Sequence, residues 1–330
     1  MHNRRPLMDL SIVSSLYHSA PYLREFHRRA SATAQQLGLD YEIILVNDGS
    51  PDESLTIALE LRRSDPRLCV IDLSRNFGHH KAMMTGLAHT RGSRVFLLDA
   101  DLEEEPELLL PFAETLERTG ADVAYGVQQS RKGGFTERVT GDLFYRLFNW
   151  LSAQAVPPNQ LSARLMTRRY VDSLVAHRDR EIFLAGLWAA TGYQQVPVPV
   201  RKHCKGVSSY SLGRKISLAV NSITSFSNRP LEMIFYLGAV ILVLSFTAAT
   251  FLIVRRLFFG QLLPGWASMM VALCFMGGLN LFCVGIVGIY LAKVFSETKE
   301  RPYTVIRQVY PHAAGRESAT EAALAAIEGR

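Results

Sequence analysis

Two long apolar runs near the C-terminus constrain this chain more than any other feature. Leu231 to Val254 carries one ionisable residue, Glu232, at its edge, and Trp266 to Leu291 carries none. At about 24 and 26 residues each reaches roughly 36–39 Å as a helix, enough to cross a hydrocarbon core of about 30 Å. A buried core helix usually keeps a polar stripe, and neither run has one. Tyr236, Trp266 and Tyr290 sit near the ends, where amphipathic rings favour the interface. Arg255 to Gly265 is too short to be more than a hairpin connection, so both outer ends lie on one side. Arg201, Lys202, Lys205, Arg214, Lys215 and Arg229 precede the first run, with no acid between residues 201 and 230. Lys293, Lys299 and Arg301 follow the second, while the connection holds Arg255 and Arg256. The positive-inside bias therefore places both chain ends in the cytoplasm. Between the basic stretch and the first run, Leu212 to Asn228 spaces Leu212, Ile216, Val220, Ile223 and Phe226 as one face of an amphipathic helix resting on the bilayer.

The rest of the chain is of a different kind. Over all 330 residues, 48% are hydrophobic and 20% charged, and mean hydropathy is +0.09, between a soluble enzyme and a polytopic membrane protein. These values exclude a disordered or collagen-like chain. A net charge of +6 suits an anionic membrane surface or a phosphorylated substrate. No nucleic-acid motif accompanies the basic stretch, so a nucleic-acid partner is not expected. Cys69, Cys204, Cys274 and Cys283 form no CxxC pair, which fits a reducing compartment rather than a disulfide scaffold or zinc site. The first apolar stretch, Leu10–Leu16, is too short for a secretory signal. The chain closes on Ile327-Glu328-Gly329-Arg330, a protease-site-like tetrapeptide.

Residues 1–200 alternate strand-like runs, at Leu10–Leu16, Tyr41–Val46, Leu68–Leu73, Arg94–Leu98 and Asp122–Gly126, with helix-like segments at Pro21–Leu37, Glu53–Arg63, His80–Thr90 and Pro106–Arg118. This alternation predicts an α/β domain with a mostly parallel sheet and crossover helices. Such sheets bind ligands beyond the carboxyl ends of their strands. There the second run meets Asn47-Asp48-Gly49-Ser50, the third Ser74-Arg75-Asn76-Phe77-Gly78, and the fourth Asp99-Ala100-Asp101. Two carboxylates at i and i+2 repel one another unless a cation or substrate neutralises them. Hard divalent ions take such oxygens together with substrate phosphates. The Asp48-Gly49 pair alone is an ordinary turn signal.

In combination and order these segments resemble family 2 inverting glycosyltransferases of the Rossmann-like GT-A fold. More narrowly, the chain is similar to polyprenyl-phosphate glycosyltransferases of the bactoprenol glucosyltransferase and dolichol-phosphate-mannose synthase type. Pro106-Glu107, Pro157-Pro158-Asn159, Arg164-Leu165-Met166, Gly206 to Tyr210, Ser225-Phe226-Ser227 with Pro230-Leu231, and the apolar hairpin extend the resemblance over residues 9 to 310. It implies hexose transfer from a nucleoside-diphosphate sugar to a polyprenyl phosphate with Mg²⁺ or Mn²⁺. The enzyme would be a multi-pass protein of the inner membrane, its catalytic domain in the cytoplasm, and a homo-oligomer. It also implies that Tyr17, Asp48, Arg75 and Asp99 bind the nucleotide sugar, that Asp101 holds the metal, and that Asp99, Asp101 and Arg164 are catalytic. Arg131, Lys205 and Ser208 would bind the acceptor phosphate. The domains expected are a transferase domain at 1–211, a surface helix at 212–229, a transmembrane hairpin at 230–292 and a cytoplasmic tail at 293–330.

The chain departs from its relatives in places. Ser15 and His18-Ser19 replace a Pro and an Asn-Glu, Lys205 replaces an Arg, and Ser162-Ala163 replaces an Asp-Phe whose Asp is a candidate base. A sugar hydroxyl needs a base when it attacks; a phosphate monoester, with a second pKa of roughly 6, is already an anionic nucleophile at neutral pH. Two other readings are a transferase to a sugar hydroxyl and a non-catalytic membrane scaffold. His79-His80 is expected at a helix N-terminus, in a structural or substrate-rim role. Glu103 to Glu105 is expected to be a solvated first turn before Pro106.

Overall fold

The computed structural model describes residues 8–128, 159–180, 182–200, 227, 229–259 and 265–312. The strands are β1 (Met8–Leu16), β2 (Tyr41–Asn47), β3 (Leu68–Leu73), β4 (Gly92–Leu97), β5 (Val123–Gln128), β6 (Gln160–Thr167), β7 (Gln195–Val200) and β8 (Ile306–Tyr310). The helices are α1 (Ala20–Gln36), α2 (Ser54–Ser64), α3 (His79–Ala88), α4 (Leu109–Thr119, entered through a 3-10 turn at Pro106–Leu108), α5 (Arg168–Ala176), α6 (Leu184–Thr191), α7 (Arg229–Phe259) and α8 (Trp266–Thr298). The chain divides into two compact units, one holding β1 to β7 with β8 and the other the α7–α8 hairpin.

In the first unit one sheet runs in the order β7-β5-β6-β4-β1-β2-β3-β8. β4, β1, β2 and β3 are mutually parallel, as are β5 and β7; β6 is antiparallel to both its neighbours, and β8 is antiparallel to β3. The mostly parallel α/β sheet is the GT-A arrangement the sequence predicts. β2 and β3 are buried along their whole length, which is why their sequences read as apolar runs rather than alternations. Leu23, Phe26 and Ala30 of α1 and Phe112 and Leu116 of α4 cover one face, packing with Ile12, Ile43, Leu45 and Phe96. α3 covers the other. Its approach to β1 and β2 is so close that a Cβ at Gly86 would lie 2.5 Å from Val13 Cγ1, so only glycine fits there.

The five expected strands and four expected helices are present, with no end moved by more than three residues. The structure adds β6, β7, β8, α5 and α6. β7 carries Pro197 and Pro199, tolerated because it lies at a sheet edge, where a missing N–H leaves no ladder bond unmade. Part of the segment expected as a tail, Ile306–Tyr310, instead closes the opposite edge.

In the second unit, α7 and α8 are long and apolar enough to cross a membrane, by length and composition. Large apolar side chains on both face outward, among them Phe246, 74% exposed, and Leu281, 76%. The Tyr290 hydroxyl donates to the Ser227 carbonyl at 2.6 Å. The surface helix expected at 212–229 lies outside the described residues, apart from Ser227 and Arg229.

Candidate active site

The parallel strands β1, β2, β3 and β4 deliver their C-terminal ends to one edge of the sheet, and the candidate residues are there. Asn47 ends β2 and donates from Nδ2 to Asp72 Oδ1 on β3 at 2.8 Å. Asp48 follows, 1% exposed. Its two oxygens accept the N–H groups of Phe77 (2.7 Å) and Gly78 (3.0 Å), so it ties the β2 end to the loop entering α3. Burial raises its pKa above the usual carboxylate value, more than those two hydrogen bonds lower it. Gly49, at φ +60°, completes the turn: a Cβ there would lie 2.6 Å from the backbone of Arg75 and Asn76.

At the end of β1, His18 takes φ +55° and donates its N–H to Ser50 Oγ at 2.8 Å. Asp52 knits this loop to the next, accepting the Ser50 and Ser54 hydroxyls and the Ala20 and Ser54 N–H groups. Burial pushes its pKa up, but these hydrogen bonds outweigh it and hold the carboxyl at about 2. Tyr17 stands half exposed beside this loop. Arg75 is exposed too, its guanidinium 4.1 Å from the Phe77 ring centre.

Asp99 and Asp101 follow β4. Asp101 Oδ1 accepts the Glu103 N–H at 2.9 Å across a turn in which Leu102 takes φ +61°. Asp99 keeps 24% of its side chain exposed, yet its Oδ1 is buried and accepts no hydrogen bond. His79, the first residue of α3, lies alongside, its Nε2 3.3 Å from that oxygen and its Nδ1 2.9 Å from Ser15 Oγ on β1. His80 points elsewhere: it is paired through Nδ1 with the Ile182 carbonyl, and burial lowers its pKa. The two histidines thus serve different sides of the helix, as adjacent helical residues must.

Glu104 corrects the expectation of a solvated acid run. It is 2% exposed, and its carboxylate accepts the N–H groups of Ser162 (3.1 Å) and Ala163 (2.7 Å) on β6. β6 sits antiparallel beside β4, so the loop leaving β4 passes over its backbone; sequence spacing alone does not reveal that contact. Glu105 and Glu107 instead pair with Arg29 of α1.

Arg164 of β6 is wholly buried. Its guanidinium stacks on Trp188 of α6 and donates to the Ser162 and Leu161 carbonyls at 3.4 and 3.3 Å, while Nη1 makes no hydrogen bond. Burial pulls its pKa down to about 9, against the opposing pull of Tyr170 and Glu104, so it remains a cation at neutral pH. The structure thus gathers Asp48, Asp99 and Asp101 at one sheet edge, with Tyr17 and Arg75 on its rim, and places Arg164 inside the fold. Arg131, Lys205 and Ser208 lie outside the described residues.

The model of the family described as "Glycosyl transferase family 2" matches residues 11–174, the span from β1 to α5 that builds this edge. The chain belongs to glycosyl transferase family 2. A Mycobacterium tuberculosis protein described as "Putative glycosyltransferases" is 53% identical over 303 residues, covering 92% of this chain and 89% of its own length. "Uncharacterized glycosyltransferase YkcC" of Bacillus subtilis is 32% identical, over 92% of this chain and 94% of that one. "Bactoprenol glucosyl transferase" of Shigella phage SfX is 31% identical, over 91% and 99%. These matches take in the hairpin as well as the sheet. The protein is a glycosyltransferase of GT-A fold followed by two candidate membrane helices.

Proposed function

We propose that this glycosyltransferase moves a hexose from a nucleoside-diphosphate sugar, UDP-linked, to undecaprenyl or a related polyprenyl phosphate, with inversion at the anomeric carbon. The observation that carries the reading is the pair Asp99 and Asp101 beyond β4, in a chain that matches a bactoprenol glucosyl transferase over nearly its whole length. The pair fits Mg²⁺ or Mn²⁺. Two carboxylates stand two residues apart, one with a buried oxygen that accepts no hydrogen bond, and a hard cation nearby offsets their repulsion. Asp101 is the ligand assigned to the ion, and Asp99 faces the diphosphate. A bound divalent ion supplies charge neutralisation for the departing nucleoside diphosphate.

The chain's own residues do the rest by positioning. Asp48 fixes the β2 turn against the loop at residues 75–78, and Tyr17 and Arg75 border the nucleotide. Arg131, Lys205 and Ser208 are assigned to the acceptor phosphate, and Arg164 supplies positive charge from beneath. A dianionic phosphate needs no base to attack, so Ser162-Ala163, its backbone held by Glu104, is compatible with direct displacement. The charge bias around the hairpin puts the transferase unit in the cytoplasm, where nucleotide sugars are made.

The deciding assay offers the full-length protein undecaprenyl phosphate, the dephosphorylated polyprenol and oligosaccharides, each with a panel of nucleotide sugars, and identifies products by mass. Transfer to the lipid phosphate alone is expected. A rate to an oligosaccharide hydroxyl equal to or above that to the lipid would reject the reading in favour of a hydroxyl acceptor. The rate should also fall below about pH 6 as the phosphate gains its second proton. For topology, a cysteine at Gln261 should react with an impermeant reagent applied to intact cells and one at Ala313 should not; equal labelling would overturn the orientation.

A further inference from the structure

His79 stands at the junction of three elements: it opens α3, its Nδ1 meets Ser15 Oγ at the end of β1, and its Nε2 lies 3.3 Å from the unsatisfied Asp99 Oδ1 beyond β4. We propose that His79 is a positioning residue of the transfer reaction, holding the Asp99 carboxylate at the nucleotide diphosphate through an Nε2–H donor, with the ring anchored at Nδ1 by Ser15. This inference rests on the site reading above, in which Asp99 faces the diphosphate.

An imidazole with one proton carries it on either nitrogen, and the partner of the other nitrogen selects which. A carboxylate only accepts, so a hydrogen bond to Asp99 puts the proton on Nε2, and in the singly protonated ring Nδ1 then accepts from the Ser15 hydroxyl. At 3.3 Å, Nε2 and Oδ1 come within hydrogen-bond reach once the ring or the carboxylate turns to align them. Asp99 has reason to need it. Asp101 stands two residues away, and a diphosphate brings further negative charge, so an untethered Asp99 would swing out of the cleft. An N–H donor at Nε2 restrains the carboxylate directly.

The test uses three single variants in the full-length, detergent-solubilised protein. Asparagine places its amide near the ring's Nδ1 and glutamine near Nε2, so the two separate the Ser15 contact from the Asp99 contact. His79→Asn should lower kcat/KM for the nucleotide sugar by about tenfold or more, His79→Gln by no more than about threefold, and Ser15→Ala by an amount between them. KM for undecaprenyl phosphate should stay within about twofold in all three, and the thermal midpoint within about 2 °C, as a local change predicts. Equal losses in His79→Asn and His79→Gln, no loss in His79→Asn, or a parallel rise in the acceptor KM would overturn the assignment. Calorimetric binding of UDP with Mn²⁺ needs no acceptor. If the wild type transfers nothing to undecaprenyl phosphate while His79→Asn weakens UDP binding about tenfold and His79→Gln does not, the acceptor reading falls and the role of His79 stands. Unchanged UDP binding in His79→Asn overturns the role whatever the acceptor. A wild type that binds neither UDP nor GDP overturns both.

Discussion

Glu42 and Asp48 lie near opposite ends of β2, both buried, and their surroundings treat the two carboxylates in opposite ways. Glu42, at the amino end, accepts the Ser11 hydroxyl (2.6 Å), the Arg91 N–H (2.7 Å) and Arg91 Nε (3.0 Å), and pairs with His312 Nε2 (2.7 Å). Burial pushes its pKa up, but these partners outweigh that and bring it down to about 2. Asp48, at the carboxyl end, has two backbone N–H donors, and burial wins. At the amino end Glu42 is therefore held by several partners, whereas at the carboxyl end Asp48 and Asp99 are left short of them. Unsatisfied charge costs stability, and it persists where a ligand completes it. The amino end joins β1, β2, the start of β4 and the segment after β8; the carboxyl end is where a substrate can contribute.

That contrast can be broken at either end. The largest stability effect should come from Glu42→Ala, which strips the partner from Arg91 and His312 inside the fold. A loss of about 3 kcal/mol is expected, read as a lower urea midpoint, with turnover per folded molecule retained. Loss of turnover at unchanged stability would mean that the amino end is part of the site. Asp101→Ala at the carboxyl end should do the reverse. Turnover should drop at least 10²-fold, about 2.7 kcal/mol in the barrier, with the urea midpoint nearly unmoved. Full activity in the presence of chelator would remove the metal from the account.

The two ends also differ in how far the sequence reveals them. β1 to β5 are legible because strands buried on both faces are continuous apolar runs, and Asp48, Asp99 and Asp101 are legible because they stop those runs. β7 is hidden by its prolines, and β8 by its short, polar sequence and by the hairpin that separates it from β3. With β8 unseen, nothing in the spacing can bring His312 to Glu42 from the far end of the described chain. Glu104 looks solvated for the same reason: its place in an acid run says nothing of β6, whose backbone N–H groups it accepts. Arg164 is recognisable as a motif residue, but its burial against Trp188 depends on α6, which carries no periodic signal in an almost wholly apolar segment.

The smallest effect is a difference in sign, and it tests the contrast most directly. A carboxylate whose pKa is lowered by folding stabilises the fold above its unfolded value, and that contribution is lost as pH falls through the folded value. For Glu42 the window runs from about 4.5 down to about 2, so wild-type stability should decline there, and Glu42→Gln should flatten the decline. Asp48 behaves in the opposite sense. Its folded pKa lies above the unfolded one, so folding favours its protonated form. Ionisation costs stability as pH rises past the unfolded value, and the cost is complete above the folded value. An asparagine side chain cannot ionise, so Asp48→Asn should gain on the wild type as pH rises through that interval. The amide also loses an acceptor for the Gly78 N–H, which adds a constant penalty and leaves the slope unchanged. The measurement is the difference in urea midpoint between Asp48→Asn and wild type across pH 4 to 7, roughly the range around an ordinary carboxyl pKa. A difference moving towards the variant with rising pH supports a carboxylate buried short of partners. A difference moving the other way would show that Asp48 is held as firmly as Glu42, and the two ends of the strand would then be alike.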